Sequence, residues 1–554
     1  MVRRRVPVGM VMRYLFLILS LSFGVSAMYA QRDPHTEIFA TSDQCMACHN
    51  GLRTPSGEDV SIGLAWRASM MANSSRDPYW QAAVRREVID HPAAADAIQD
   101  ECATCHMPMS RTEARLKGDE GDVFDHLPVR DEGDRSDRLA HDGVACSMCH
   151  QITDRNLGTP AGFTGGYVVS PLAAASDSLA DPAQGRPIFG PFKIERGMTT
   201  IMRSATGYQP TEAVHVRQSE LCATCHTLVT KARGPGGEII GHLPEQMPFQ
   251  EWKHSAYVGE ERSCQSCHMP VVEEDTPIAS VLGAPRKGFA RHTFIGGNFF
   301  IQRMLNRYRA DLGVVADAAN MDASIEATIA SLQKSTATVS IERAERSGSR
   351  LIAAVRVQNL TGHKLPTGYP SRRTWLHLTV RDRGGRVVFE SGALTPNGAI
   401  AGNDNDAEAL GVEPHHIEIR TADQVQIYES VMGDSNGRPT TGLLTAVRYL
   451  KDNRLLPKGF DKATADPSIG VIGSAAEDGD FASNGDRVQF AIEVNQAEGP
   501  FRIDAELRFQ VVGFRWAENL RPYKSKETSR FVTYYESMAS SSSEVLAAGR
   551  ADVN

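Results

Sequence analysis

The sequence predicts an α+β multidomain protein: an α-rich, loop-rich first half followed by an antiparallel β-sandwich. Three observations predict it. All ten cysteines fall within five copies of Cys-x-x-Cys-His between Cys45 and His268. Proline and glycine punctuate that half densely, which suits short helices joined by long loops. From residue 336 the apolar period becomes two, the spacing of half-buried strands. At 554 residues the chain exceeds one ordinary domain, and its 41% hydrophobic content is that of a soluble globular protein.

Residues 1–30 read as a secretory signal peptide. Arg3, Arg4, Arg5 and Arg13 precede or flank an apolar run from Tyr14 to Ala27, and small-residue exits follow at Val25-Ser-Ala27 and Met28-Tyr-Ala30. The run is short for a membrane span of roughly 20 residues, so cleavage is expected and no span after it. No later segment is long and apolar enough to cross a membrane, and the expected location is periplasmic or extracellular. Removing four of the 59 basic residues leaves 55 against 67 acidic ones, a formal charge of −12. That balance argues against nucleic acid and for redox partner proteins with a basic docking face.

Residues 31–310 hold the motifs: Cys45-Met-Ala-Cys48-His49, Cys102-Ala-Thr-Cys105-His106, Cys146-Ser-Met-Cys149-His150, Cys222-Ala-Thr-Cys225-His226 and Cys264-Gln-Ser-Cys267-His268. The spacing is that of c-type haem attachment. Two thiols three positions apart add to the two vinyl groups of one porphyrin, and the next residue brings an imidazole to the iron. Paired cysteines with a histidine also suit zinc, but zinc does not require His directly after the second Cys, and here that occurs five times with no cysteine left over. Five covalently bound c-type haems are therefore expected, with no thiol left for disulfides. Five haems in so short a stretch must form much of the core and lie close together, which implies conduction of electrons.

Each iron can take a second axial ligand. His141 lies five residues before Cys146, His254 ten before Cys264, His292 precedes Gly296-Gly297-Asn298, and His126 sits in Phe124-Asp-His126-Leu-Pro. All four are candidate distal ligands, with a surface or structural histidine as the alternative for each; His35, His91, His215 and His242 rank below them.

The stretch Trp66-Arg-Ala-Ser69-Met-Met71-Ala72 resembles the Trp-x-x-Ser-x-His-Ala element of small tetrahaem cytochromes that accept electrons from hydroxylamine oxidoreductase. The His-x-Gly-Val-x-Cys-x-x-Cys-His run at His141 resembles that family too, and the resemblance covers roughly residues 40 to 300. It implies an electron-transfer role for a multihaem cytochrome c domain. This chain departs from the family in its fifth motif and in Met71, which stands where the family has His. A His/Met haem would have a higher potential than a bis-His one, whereas Met70 and Met71 as core residues would do nothing at iron. Pentahaem nitrite reductases replace the proximal His of the catalytic haem by Lys; all five motifs here end in His. The alternative function is a multihaem oxidoreductase acting on a small nitrogen or sulfur compound at one open haem.

Residues 311–335 read as a linker helix, with Asp322 as candidate N-cap and Ile325, Ile329 and Leu332 on one face. Residues 336–535 read as the β-sandwich domain: Leu351 to Val357, then Leu376, Leu378 and Val380, then Val488 to Val494 and Phe501 to Val512 supply strands, with long insertions between about 395 and 480. His363, between two strands, is a further candidate distal ligand reaching across to a haem. Asn403-Asp404-Asn405-Asp406 reads as a solvated acidic loop, with calcium held through oxygen ligands as the alternative. The β-domain is also a possible self-association module, and residues 536–554, with four serines from Ser540, read as a partly disordered tail.

Overall fold

The structure, a computed structural model, describes residues 37–130, 133–169, 185–194 and 196–554. The signal segment and His35 lie outside the described residues. Among those residues no helix is long and apolar enough to cross a membrane.

Every attachment motif begins on a helix. The carriers are α1 (Ser42–Met46), α3 (Ala95–His106), α4 (Cys146–Cys149), α5 (Ser219–Ala223) and α7 (Cys264–His268). Positions i, i+3 and i+4 share one face of a helix. One turn therefore presents two thiols and an imidazole to the same side, and His49 N, His150 N and His226 N close such turns on the carbonyls of Cys45, Cys146 and Cys222. Between them, α2 (Pro78–Asp90) is capped by the Asp77 carboxylate, which accepts from Tyr79 N and Trp80 N, with Pro78 in the first turn. α6 (Pro248–Lys253) precedes the fifth motif. α8 (Phe299–Arg307) and α9 (Ala318–Ser335) close this half.

Besides a small three-stranded sheet, the second half has the strands β1 (Ala337–Ser347), β2 (Arg350–Asn359), β3 (Arg373–Arg381), β4 (Val387–Ser391), β5 (Glu418–Ile419), β6 (Ile427–Tyr428), β7 (Asp486–Glu493), β8 (Phe501–Gln510) and β9 (Ser543–Val553). They form one sheet in the order β5-β7-β2-β1 and another in the order β4-β3-β8-β9, with β6 also on β3. The period of two has its cause in register: Leu351, Ala353 and Val355 stand opposite Ile492, Phe490 and Val488, and Leu376, Leu378 and Val380 opposite Leu507, Ala505 and Ile503. All of these side chains are buried in one core shared by both sheets.

Three expectations are corrected. The segment 311–335 is no free linker: its helix begins at Ala318, and Met321, Ile325 and Leu332 are buried in the main core. Residues 536–554 are not a loose tail. α10 (Lys526–Met538) ends in a turn of the serine run, where Ser542 accepts from Gln510 Nε2, and β9 then pairs with the whole of β8. Nor is the packing of the two halves independent: beside clusters confined to the first half, one core spans both. Tyr79 and Ala82 of α2 and Phe299, Phe300 and Met304 of α8 join the β-sheet cluster, with Tyr79 against Phe531 at 5.1 Å and Phe300 against Tyr535 at 5.8 Å.

Candidate haem-binding cavity

All fifteen cysteines and histidines of the five motifs line one continuous cavity of about 1400 Å³. A site for one small molecule occupies about 300–1,000 Å³, so this space suits several groups in contact. The ten thiols are free of disulfides. A row of free thiols beside imidazoles in a largely apolar chamber fits covalent c-type haem, and it does not fit tetrahedral zinc, because no motif brings a fourth ligand of its own.

Four of the five attachment imidazoles share a second feature. His49 Nδ1 donates to Ile278 O (2.5 Å), His106 Nδ1 to Ser74 O (3.1 Å), His150 Nδ1 to Phe189 O (2.6 Å) and His268 Nδ1 to Ile295 O. Such a bond fixes the tautomer, leaves Nε2 as the free lone pair and makes it a better metal ligand. His226 makes no such bond. Burial holds His106 and His226 down to about 4 and lowers His150 as well, so these rings are neutral donors at neutral pH.

Space does not follow chain order. The first and third motifs are neighbours: the Cys45 thiol meets that of Cys146, and Ser42 donates twice to Asp142 at 2.7 Å. The fourth touches two others and lies near a third. Cys222 meets Cys264 of the fifth, Cys225 meets Cys105 of the second, and Cys149 of the third lies within electrostatic reach of both. Independent contacts agree: Cys264 N donates to Ser219 Oγ (3.1 Å), and Gly165, whose N–H donates to Thr224 O, packs on Thr104 of the second motif.

Of the predicted distal residues, Met71, His292 and His363 line the cavity. The His292 ring faces His150 with centroids 6.2 Å apart and planes 20° apart; His363 faces His268 at 6.3 Å and 17°. Two imidazoles bound to opposite sides of one metal through bonds of about 2.0–2.1 Å would place their centres about 6.3 Å apart. Nδ1 of His292 donates to Ala290 O (3.0 Å) and that of His363 to Lys364 O (2.9 Å), which again leaves Nε2 free. Burial, reinforced by His150, holds His292 down to about 4.

His126, His141 and His254 do not line the cavity, and each has a ring nitrogen bonded elsewhere. His126 spends both ring nitrogens, on Asp137 Oδ1 (2.8 Å) and Ser110 Oγ (3.2 Å). His141 donates from Nε2 to His126 O (2.6 Å) and His254 from Nε2 to Asp461 O (3.0 Å). The two elements behind the family resemblance do meet: Val144 N donates to Met71 O and Trp66 Nε1 to Val144 O, both at 3.0 Å. Gly143 makes this possible, since at φ +63° a Cβ there would lie 2.8 Å from Met71 O. No local pattern pointed to Trp80, stacked on the His106 ring at 4.4 Å and 6°, or to Arg372, which lines the cavity from the β-rich half.

Two of the four residues that could hold calcium are engaged within the protein. Asp406 is held bidentately by Arg373 at 2.8 Å and accepts from Ile400 N, while Asn403 caps the following turn through Asn405 N. The buried trio His415, Asp478 and Asp486 is no better a metal site. Gln426 and Asn453 both donate to His415 Nδ1, so Nε2 carries the proton and gives it to Asp478 Oδ2 at 3.1 Å. Burial pushes Asp486 up to about 7. An acid raised this far above about 3.9 contributes stability in its neutral form that is lost as pH rises from about 4 through 7. The expected result is that Asp486→Asn changes the denaturation midpoint relative to wild type more favourably at pH 8 than at pH 5; a difference independent of pH would refute the assignment.

No family model matches the chain, and no curated protein matches it. Among solved structures it is similar to a penta-heme cytochrome c552 from Thermochromatium tepidum, at 15% identity over 93% of this chain and 98% of that one, with a TM-score of 0.48.

Proposed function

We propose that this chain is an exported multihaem c-type cytochrome that carries electrons between redox partner proteins through five covalently bound haems. The observation that carries the reading is the single cavity lined by all five motifs, with neighbouring thiols in contact. Each haem, when bound, supplies an iron whose oxidation state changes by one electron. The chain attaches these groups, fixes their imidazoles through backbone carbonyls and shields them from water. The contacts support a branched path: first motif to third, third to fourth, and from the fourth to both second and fifth. His292 would hold iron together with His150, and His363 together with His268. Export follows from the N-terminal segment and from haem attachment outside the cytoplasm.

Intact mass of the denatured holoprotein tests this. A chain beginning near residue 31 and retaining five haems is the expected result; fewer than five, from a host competent in haem attachment, would sink it.

A second reading has an observation of its own. Apart from the attachment residues, His292 and His363 are the histidines that line the cavity among the described residues. Two bis-His sites leave three irons dependent on methionine or on nothing, and an iron with nothing opposite its histidine is open to a small molecule.

A further inference from the structure

We infer that Trp80 is the positioning residue of the second haem: its indole fixes the plane in which the His106 imidazole meets the iron, and so sets that iron's potential and magnetic signature. The inference rests on the multihaem reading above and assigns one of its irons a positioning residue from outside the attachment motif.

Trp80 lies on the His106 ring with centroids 4.4 Å apart and planes 6° apart. The parallel rings that face His150 and His268 stand off at 6.2 and 6.3 Å. Among the described residues, His106 is thus the attachment imidazole whose face is covered by an aromatic in contact. Packing alone does not dictate such alignment, since aromatic pairs also meet edge to face, as Phe189 and His215 do here at 5.0 Å and 70°.

One short segment delivers every part of the arrangement. Ser74 O accepts from His106 Nδ1 at 3.1 Å, and Ser74 Oγ donates back to His106 O at 2.8 Å. Three residues on, Asp77 Oδ1 accepts from Trp80 N at 3.2 Å, which fixes the first turn of α2 and with it the root of the indole. The indole is buried in a cluster with Val84 of α2, Ala103 inside the motif and Met107 directly after it. The segment from Ser74 to Trp80 therefore holds His106 at its carbonyl, at Nδ1 and across its face.

These contacts are not redundant. A bond at Nδ1 leaves the ring free to turn about the line through that bond, and the face contact removes this freedom. The plane of an imidazole decides which iron d orbital its π electrons meet, so groups behind a ligand tune the metal by orienting it. A buried indole also keeps water away, which disfavours the more charged ferric state and raises the potential.

The test compares wild-type, Trp80→Leu and Trp80→Phe holoproteins by intact mass, optical redox titration and EPR of the oxidised state. Leucine fills space but offers no ring face. All three proteins are expected to hold five haems. In Trp80→Leu one midpoint should fall and the signal of one iron broaden, with the other four unchanged; Trp80→Phe should reverse most of both changes. Trp80→Met, a flexible filler of the same space, carries the same expectation as leucine and serves if that variant does not fold. Five haems with every midpoint and signal unchanged overturn the inference and leave the cytochrome. A phenylalanine variant as perturbed as the leucine one also overturns it, because Trp80 would then be a filler of volume. A mass showing no haem on the second motif overturns the multihaem reading and this inference with it.

Discussion

Replacing His363 by alanine is expected to convert one low-spin haem to high-spin while all five haems stay attached. The reason is the geometry opposite His268: a parallel ring at 6.3 Å, its Nδ1 tied to Lys364 O and its Nε2 free. Face-to-face stacking requires closer approach, as Trp80 and His106 make at 4.4 Å, so the larger gap leaves room for a metal between the rings. The same logic applies to His292 opposite His150. EPR of the oxidised holoprotein should gain about one high-spin iron in each single variant and about two in the double variant. His254→Ala is the control, because that ring is bonded to Asp461 O outside the cavity. If His363→Ala and His292→Ala both leave the spectrum unchanged, the facing rings are packing and the ligands lie elsewhere.

How much of this was legible beforehand depended on how local the signal was. The attachment residues were legible because thiol, thiol and imidazole fall on one helical turn, so spacing alone specifies them. The strands were legible because period-two burial, as in Leu376, Leu378 and Val380, is written into consecutive residues. Distal ligands were not, since they depend on which loop crosses the cavity. His141 stands close to Cys146 in the chain yet spends its Nε2 on a carbonyl, whereas His363, 95 positions beyond His268, faces it. The carbonyls that orient the attachment histidines were invisible for a simpler reason: any residue offers one. The tail was misread because its serines suggest disorder in isolation, while Ser542 is buried as the acceptor for Gln510. The boundary between halves was misread because patterning shows which face of α2 or α9 is apolar and not which half of the chain will cover it.

The loop that presents His363 is anchored by buried charges, and removing one of them should cost more stability than any surface change. Lys364 Nζ meets Asp452 Oδ2 at 2.9 Å, Arg454 grips the same carboxylate at 2.7 and 2.9 Å, and Arg454 also pairs with Glu251 of α6 at 2.9 Å. Glu251 in turn accepts from Lys364 N and Thr367 Oγ1. All four residues are nearly or wholly out of solvent. Deleting one partner of such a group strands the others, at about 3–5 kcal/mol, against a total stability of about 5–15 kcal/mol. Asp452→Ala is therefore expected to lower the urea midpoint sharply and, by loosening Lys364, to broaden the EPR signal of the haem that His363 serves. The pH dependence has a definite sign. Burial works to raise the Asp452 carboxyl, but Arg454 and Lys364 outweigh it and hold the group below its ordinary value. Its contribution is thus complete above about pH 4 and is lost as pH falls through that lowered value. The gap between wild type and Asp452→Ala should stay constant from pH 8 to 5 and close only in stronger acid. A variant as stable as wild type at pH 7, with an unaltered haem signal, would show that the network neither stabilises the fold nor positions His363.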